Sequence, residues 1–182
     1  FIIPIGTIEY HTRHLSLGTD TFVVTGVLRE LEKKKEIVVC PPIWYGVASY
    51  AVAGPESGTI HVDVDAYEQY LYNILKSLVW GGVKNIYCIP HHQTENAGLM
   101  PMTLACHKAA KKVIMEYLEG TQGLGWWGKD SYANYYEDCA TGDDPFSYIK
   151  VLPLLGTEVQ KICGFDHAGK VETSMMLSLY PD

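Results

Sequence analysis

Apolar positions along this chain come in two kinds of run. Phe1 to Ile5, Ile37-Val38-Val39-Cys40 and Asn85 to Ile89 are short and continuous, and they predict strands. Pro41-Pro42 stops the second, which reads as a short buried strand; the third reads as buried on both faces. Between them the apolar residues recur at helical spacing. Phe22, Val23, Val27, Leu28 and Leu31 follow Thr19-Asp20. Val64, Tyr67, Leu71, Ile74, Leu75, Leu78 and Val79 follow Asp63. Leu99, Met102, Cys106, Val113, Ile114, Tyr117 and Leu118 follow Asn96, which is placed to cap their helix. Lys33, Lys34 and Lys35 close the first helix, where cations suit the negative end of the dipole, and Gly81-Gly82 ends the second. Residues from Asp166 open a last helix carrying Met175, Met176 and Leu179.

Strand and helix in alternation predict an α/β fold: a three-layer α/β/α sandwich with a mainly parallel sheet, in one domain over 1–182. Two stretches lack a period. The Gly- and Pro-containing segment from Trp44 to Ile60 reads as a functional loop. Residues 121–146, rich in Gly and aromatics, read as a lid or insertion, and Val159 to Phe165 is indistinct. The chain opens directly in a strand-like run, so residues are expected to be missing at both ends.

The chain has 182 residues, of which 47% are hydrophobic and 19% charged, as in an ordinary soluble globular domain. A net charge of −7 disfavours nucleic acid and anionic membrane as partners. No apolar run has the length of a membrane span. The five cysteines are scattered and odd in number, without C-x-x-C spacing, which fits reduced cytoplasmic thiols.

Three polar clusters stand out against this frame. Glu9-Tyr10-His11, with Asp20 beyond it, follows the first strand. His91-His92-Gln93-Thr94-Glu95-Asn96 follows the strand at 85–89, and Asp166-His167 to Glu172 precedes the last helix. In an extended segment Glu9 and His11 emerge on one side, because side chains alternate with a period of two. Loops after parallel strands share one edge of a sheet, so the first two clusters converge there. Carboxylate and imidazole are the donors that Zn²⁺ or Mn²⁺ takes, and Asp20 has two oxygens with which to bridge a metal pair. The alternative is that the acids cap helices and the imidazoles lie at the surface. His61 and His107 have no partners nearby in sequence and read as structural or exposed.

These motifs resemble the creatininase family of metal-dependent amidohydrolases. The pattern P-x-G-S-x-E-Q-H-G-x-H-L-P-L-G-T-D is met by Pro4, Gly6, Thr7, Glu9, His11, His14, Leu15, Leu17, Gly18, Thr19 and Asp20. Pro41-Pro42 with Tyr45-Gly46, Gly58-Thr59-Ile60, His92 to Asn96, and His167-Ala168-Gly169 with Glu172-Thr173-Ser174 continue the likeness, which is weakest over 121–165. The resemblance implies a dinuclear Zn or Mn centre and a homo-oligomer, often a hexamer. By position, Glu9, Asp20 and His92 would hold one metal, and His11, Asp20 and Glu95 the other. His167 matches the proton-transfer residue and Glu172 the acid beside it, which is also the substitute ligand for Glu95. One extra residue between His92 and Glu95 leaves Gln93 or His91 open as a ligand. His14 is expected to support the site from behind.

The chemistry implied is hydrolysis of a small cyclic amide by metal-activated water, with His167 passing a proton to the leaving group. Trp126, Trp127, Tyr45 and His91 are candidates for the substrate pocket; ordinary packing is the alternative for the tryptophans. Tyr10, Thr12-Arg13 and Glu56-Ser57 depart from the family pattern. They keep open a second reaction, C–C cleavage in a cyclic ketone derived from a sugar or inositol. A non-catalytic metal- or ligand-binding α/β domain is the rival from another class.

Overall fold

Three parallel strands make the sheet in the order β1 (Ile2–Ile5), β2 (Ile86–Pro90), β3 (Ile149–Val151). The computed structural model describes residues 1–92, 97–134, 137, 144–164 and 166–181. A further segment bridges the free side of β1 through Val39 and Ile43, in parallel. Its ladder bonds are Ile2 N–H to Val38 at 2.8 Å, Cys40 N–H to Ile2 at 2.8 Å, and Ile43 N–H to Pro4 at 2.9 Å. Pro41-Pro42 adds one residue to this edge relative to β1, a bulge of the kind prolines permit at sheet edges. Pro4, which has no N–H to give, faces the same bulge and accepts from Ile43 through its carbonyl. The expected buried strand at 37–40 is thus an exposed edge, with Val38 51% exposed.

The helices are α1 (Thr19–Glu32), α2 (Val64–Trp80), α3 (Pro101–Gln122), α4 (Thr157–Cys163) and α5 (Lys170–Leu179). Alternation along the strands sorts them into two layers. Ile3, Ile5, Ile86 and Cys88 pack with Tyr67, Leu71 and Leu75 of α2 and Met102, Cys106 and Val113 of α3. Ile2 and Ile89, on the opposite face, pack with Val24 and Leu28 of α1. Each such fully buried aliphatic side chain contributes roughly 1.5–3 kcal/mol. The result is the expected three-layer α/β/α arrangement.

Helix ends follow local chemistry. Asp63 caps α2 by accepting from the Asp65 amide at 2.9 Å, and Gly81 closes it on Ser77 at 3.0 Å. The start of α3 differs from expectation. It begins at Pro101 with Met100 as N-cap, because proline is pre-shaped for the first helical position, and Leu99 is left 69% exposed. Asn96 lies outside the described residues. β3 and α4 had not been anticipated. Among the described residues no helix is long and apolar enough to cross a membrane.

Chain order across the sheet is second segment, first, third, fourth. The order therefore reverses between β1 and β2, and the crevice at their carboxyl ends is where such sheets place ligands. The Glu9 and His92 clusters emerge there.

Candidate metal centre

β1 runs into the first cluster through Gly6. A Cβ there would lie 2.5 Å from the Thr21 nitrogen, so only glycine lets this segment pass so close to the start of α1. Beyond it the chain stays extended, held by the Ile60 amide to Ile8 at 2.9 Å and the Tyr10 amide to Thr59 Oγ1 at 3.1 Å. Glu9 and His11 are buried on either side of half-buried Tyr10, as a period of two requires. Asp20, in the first turn of α1, sits where the helix dipole favours a carboxylate. His91 and His92 follow β2, with the His91 amide bonded to Ile5 at 2.8 Å. Glu172 comes from the first turn of α5.

These side chains converge. His92 Nδ1 lies 3.2 Å from Glu9 Oε2 and 3.2 Å from Asp20 Oδ2. His11 Nε2 lies 3.5 Å from Asp20 Oδ1 and 3.7 Å from Glu172 Oε2. Asp20 therefore shows one oxygen to each imidazole, while the Thr7 hydroxyl donates to it. Two described groups share Asp20: Glu9, Asp20 and His92, and His11, Asp20 and Glu172. A third, Glu9, His11 and His167, overlaps both. Within each group the donor atoms lie within 4.8 Å of one another.

The tautomers can be read from fixed acceptors. His11 Nδ1 faces the Glu9 carbonyl at 3.0 Å, and a carbonyl only accepts, so Nδ1 carries the hydrogen. That leaves Nε2, buried and aimed at two carboxylates, as the ring atom that takes either a second proton or a metal ion. A positive charge between these groups, a proton or a metal ion, offsets the repulsion of the facing carboxylates. Bonds of about 2.0–2.1 Å in a tetrahedral shell set neighbouring ligand atoms about 3.3–3.4 Å apart, and the contacts here run from 3.2 to 3.7 Å. Each of the two donor groups that share Asp20 is spaced so that it could hold a divalent ion.

The electrostatics agree. Burial opposes a charged His11 ring most strongly, but Asp20, with the Glu9 carbonyl and Glu172, together outweighs it and the ring is pushed up to about 9. Burial likewise opposes charge on His92, and Asp20 with Glu9 pushes it up to about 10. Asp20 would be raised by its burial, yet His11 and His92 hold it well below the usual carboxylate range. Glu172 is pushed up by burial, against the Ala168 amide that donates to it. The site concentrates anionic oxygens and attracts cations, whether protons or metal.

His167 turns Nε2–H to the Tyr10 carbonyl at 2.8 Å, leaving Nδ1 open toward Glu9 Oε2 at 3.7 Å. Its ring lies 4.4 Å from that of His11. Three non-glycine residues with positive φ adjoin the site: Thr12 at 60°, Ser49 at 64° and Ala168 at 54°. Such conformations cost free energy and cluster where geometry is fixed for function. Asp166 accepts from the amides of Val171 at 2.6 Å and Glu172 at 3.3 Å, which anchors the turn that presents Glu172. His14 links the first cluster to α5, its Nδ1 2.7 Å from Thr12 Oγ1 and its Nε2 3.1 Å from Thr173 Oγ1.

A cleft of about 220 Å³ opens over this floor, walled by Ser49, Ala51, Val52 and Met100 with Asp166 and His167. The structure thus brings Glu9, His11, Asp20, His92, His167 and Glu172 together. Glu95 and Gln93 lie outside the described residues. The pocket expectations need correction. Trp126 is 7% exposed and packs in the core against Tyr132 and Phe146, with Trp127 edge-on to it at 5.4 Å. Trp126 is drawn by its apolar area to the α2/α3 layer, while Trp127 stays 48% exposed on its outer side. Tyr45 lines a separate cleft of about 340 Å³ with Trp44, Tyr67 and Tyr70. His91 is buried behind Glu172, in a hollow it shares with Gln160 and Asp166. Thr7 and Asp166 had been given no role, and the 49–52 wall had been foreseen only as part of the functional loop from Trp44 to Ile60. Thr7 and Asp166 stood inside the motifs; the loop's Gly and Pro content marked it without saying which of its residues face the site.

Comparison with known proteins gives a consistent result. The family model described as "Creatininase: Creatinine amidohydrolase" matches residues 1–182. The 3-dehydro-scyllo-inosose hydrolase of Thermotoga maritima is 28% identical over 181 residues, covering 100% of this chain and 50% of that protein. The creatinine amidohydrolase of Pseudomonas putida is 22% identical over 187 residues, covering 100% of this chain and 64% of that protein. The chain thus spans about half to two thirds of the length of these relatives. Among solved structures, one described as "Creatininase Mn" superposes with a TM-score of 0.69 at 21% identity, covering 100% of this chain and 65% of that one. A mutant creatininase of Zn-Zn type gives 0.64 at 21% identity, with 100% and 65% covered. Likeness at this identity establishes the shared fold.

Proposed function

The chain belongs to the creatininase family, and on that footing we propose that it is a metal-dependent hydrolase that opens a small cyclic amide. The observation that carries this reading is Asp20, whose two carboxylate oxygens face separate imidazoles, His92 and His11, in two donor groups. Glu9, Asp20 and His92 would hold one Zn²⁺ or Mn²⁺ and His11, Asp20 and Glu172 a second, a pair that supplies water acidified toward neutral pH and a polarised carbonyl. The names of the solved relatives, Mn in one case and Zn-Zn in another, support that choice of ions.

The chain's own residues supply the rest. The Tyr10 carbonyl fixes His167 as the tautomer with its lone pair on Nδ1, so Nδ1 receives a proton from the attacking water's side and returns it to the leaving nitrogen. The Thr7 hydroxyl orients the Asp20 carboxylate, and the Glu9 carbonyl holds the His11 ring. Ala51, Val52 and Met100 wall the cleft with apolar surface that displaces water from a small flat ring. The products are a carboxylate and an amine on one opened chain.

A second substrate class, the cyclic polyhydroxy ketone, is favoured by the 28% identity to an inosose hydrolase. Attack on a ring ketone calls on the same floor and the same His167. Offering cyclic amides and cyclic polyol ketones to the Zn²⁺- or Mn²⁺-loaded protein, with products weighed by mass spectrometry, separates the two. Activity that is lost in chelator and regained with metal supports the reading, and full activity in stripped protein contradicts it. Assembly into a homo-oligomer is part of the same proposal, and light scattering tests it.

A further inference from the structure

The wall that faces the acidic floor begins at Ser49. This residue is exposed, sits at a left-handed φ of 64°, and accepts from the Ala51 amide through Oγ at 3.4 Å. A serine adopts that backbone region reluctantly, so the conformation calls for outside support. The support is visible. The Ser49 amide donates to Nδ1 of His61 at 3.0 Å, and the His61 ring lies edge-on to Tyr50, centroids 5.5 Å apart.

His61 is itself mounted on the frame of the site. Its neighbours Thr59 and Ile60 bind the extended segment that carries Glu9, through Tyr10 N–H to Thr59 Oγ1 and Ile60 N–H to the Ile8 carbonyl. The ring therefore spans from the floor-bearing segment to the wall of the cleft. We infer that His61 is a positioning residue that accepts the Ser49 amide and so fixes the distance between the 49–52 wall and the floor, which selects the small cyclic substrates that enter. The role rests on the hydrolase reading above.

A side chain that accepts at this one point suffices for the role. The carbonyl oxygen of asparagine lies as many bonds from Cα as Nδ1 of histidine does, whereas leucine has similar bulk and no acceptor. In the Zn²⁺-loaded protein, His61→Leu should raise KM about three- to tenfold, the scale of one lost hydrogen bond, with kcat and bound metal unchanged. Hydrogen–deuterium exchange at the Ser49 amide should speed up in His61→Leu, and His61→Asn should restore both readings. An unchanged KM, equal impairment of the two variants, or loss of metal together with kcat overturns the inference. If the parent protein turns over neither substrate class, the hydrolase reading falls, and exchange then decides for His61. Slow exchange in His61→Leu overturns the support role, and fast exchange rescued by Asn upholds it.

Discussion

Asp20 Oδ1 and His11 Nε2 face each other at 3.5 Å inside the protein, both nearly inaccessible to water. A charge-assisted hydrogen bond between such groups closes to about 2.7–2.9 Å. The Nδ1 hydrogen of His11 is committed to the Glu9 carbonyl, so Nε2 is the ring atom that meets Asp20, and the wide gap has room for an ion in place of a proton.

Replacing Asp20 with Asn should affect both donor groups at once. Loss of one outer hydrogen-bond partner typically costs about 10–100-fold in metal affinity, and loss of a shared ligand should exceed that. Metal titration of Asp20→Asn should show both sites weakened together, and activity should fall at least about a hundredfold. Independent weakening of one site alone would show that Asp20 is not shared.

Thr7→Val removes the hydroxyl that donates to Asp20 while keeping the shape of the side chain. Metal affinity should drop about 10–100-fold, and Thr7→Ser should retain most of it. Calorimetric titration with Zn²⁺ reads the difference without any assay of turnover.

His167→Ala should lower kcat by about 10²–10⁴-fold, the usual scale for a lost general acid–base group, with metal content unchanged. A fall in metal content would instead place His167 among the ligands, as its approach to Glu9 and His11 permits.

In the metal-free protein His11 is pushed up to about 9 and His92 to about 10, above the roughly 6.5 of an unfolded histidine. Groups raised in this way stabilise the fold fully below the unfolded value, and that contribution fades as pH rises through about 9 to 10. Metal binding near pH 7.5 must therefore expel protons from both rings. Calorimetric enthalpies should change with the ionisation enthalpy of the buffer, and the effect should vanish above about pH 10. Buffer-independent heats at pH 7.5 would contradict the protonated state.

Much of this arrangement was legible in the sequence because its signals were periodic or chemical. β1, β2, α1 and α2 announced themselves by apolar spacing and by Asp63 and Gly81, and the acids and imidazoles were named before their geometry was known. β3 escaped because Ile149-Lys150-Val151 is too short to show a period. The start of α3 was misplaced because Pro101 governed it and Asn96 was the more familiar cap. Which carboxylate joins His11 was open because loop spacing does not fix direction; Glu172 reaches it from α5, across the molecule, while Glu95 lies outside the described residues. The tryptophans were left between the cleft and ordinary packing because aromatic content says nothing about which face they cover.

That correction has its own test. Trp126→Ala should cost about 3–5 kcal/mol of stability, read as a lower urea midpoint, because it empties a site in the α2/α3 core. KM for the folded fraction should not move. A raised KM with unchanged stability would return Trp126 to the pocket.

The central claim is that one aspartate is shared by two ions. Anomalous diffraction from crystals of the Zn²⁺-loaded protein tests it most directly. Two peaks should appear, one bounded by Glu9, Asp20 and His92 and the other by His11, Asp20 and Glu172. A single peak, or peaks that Asp20 does not touch, would contradict it.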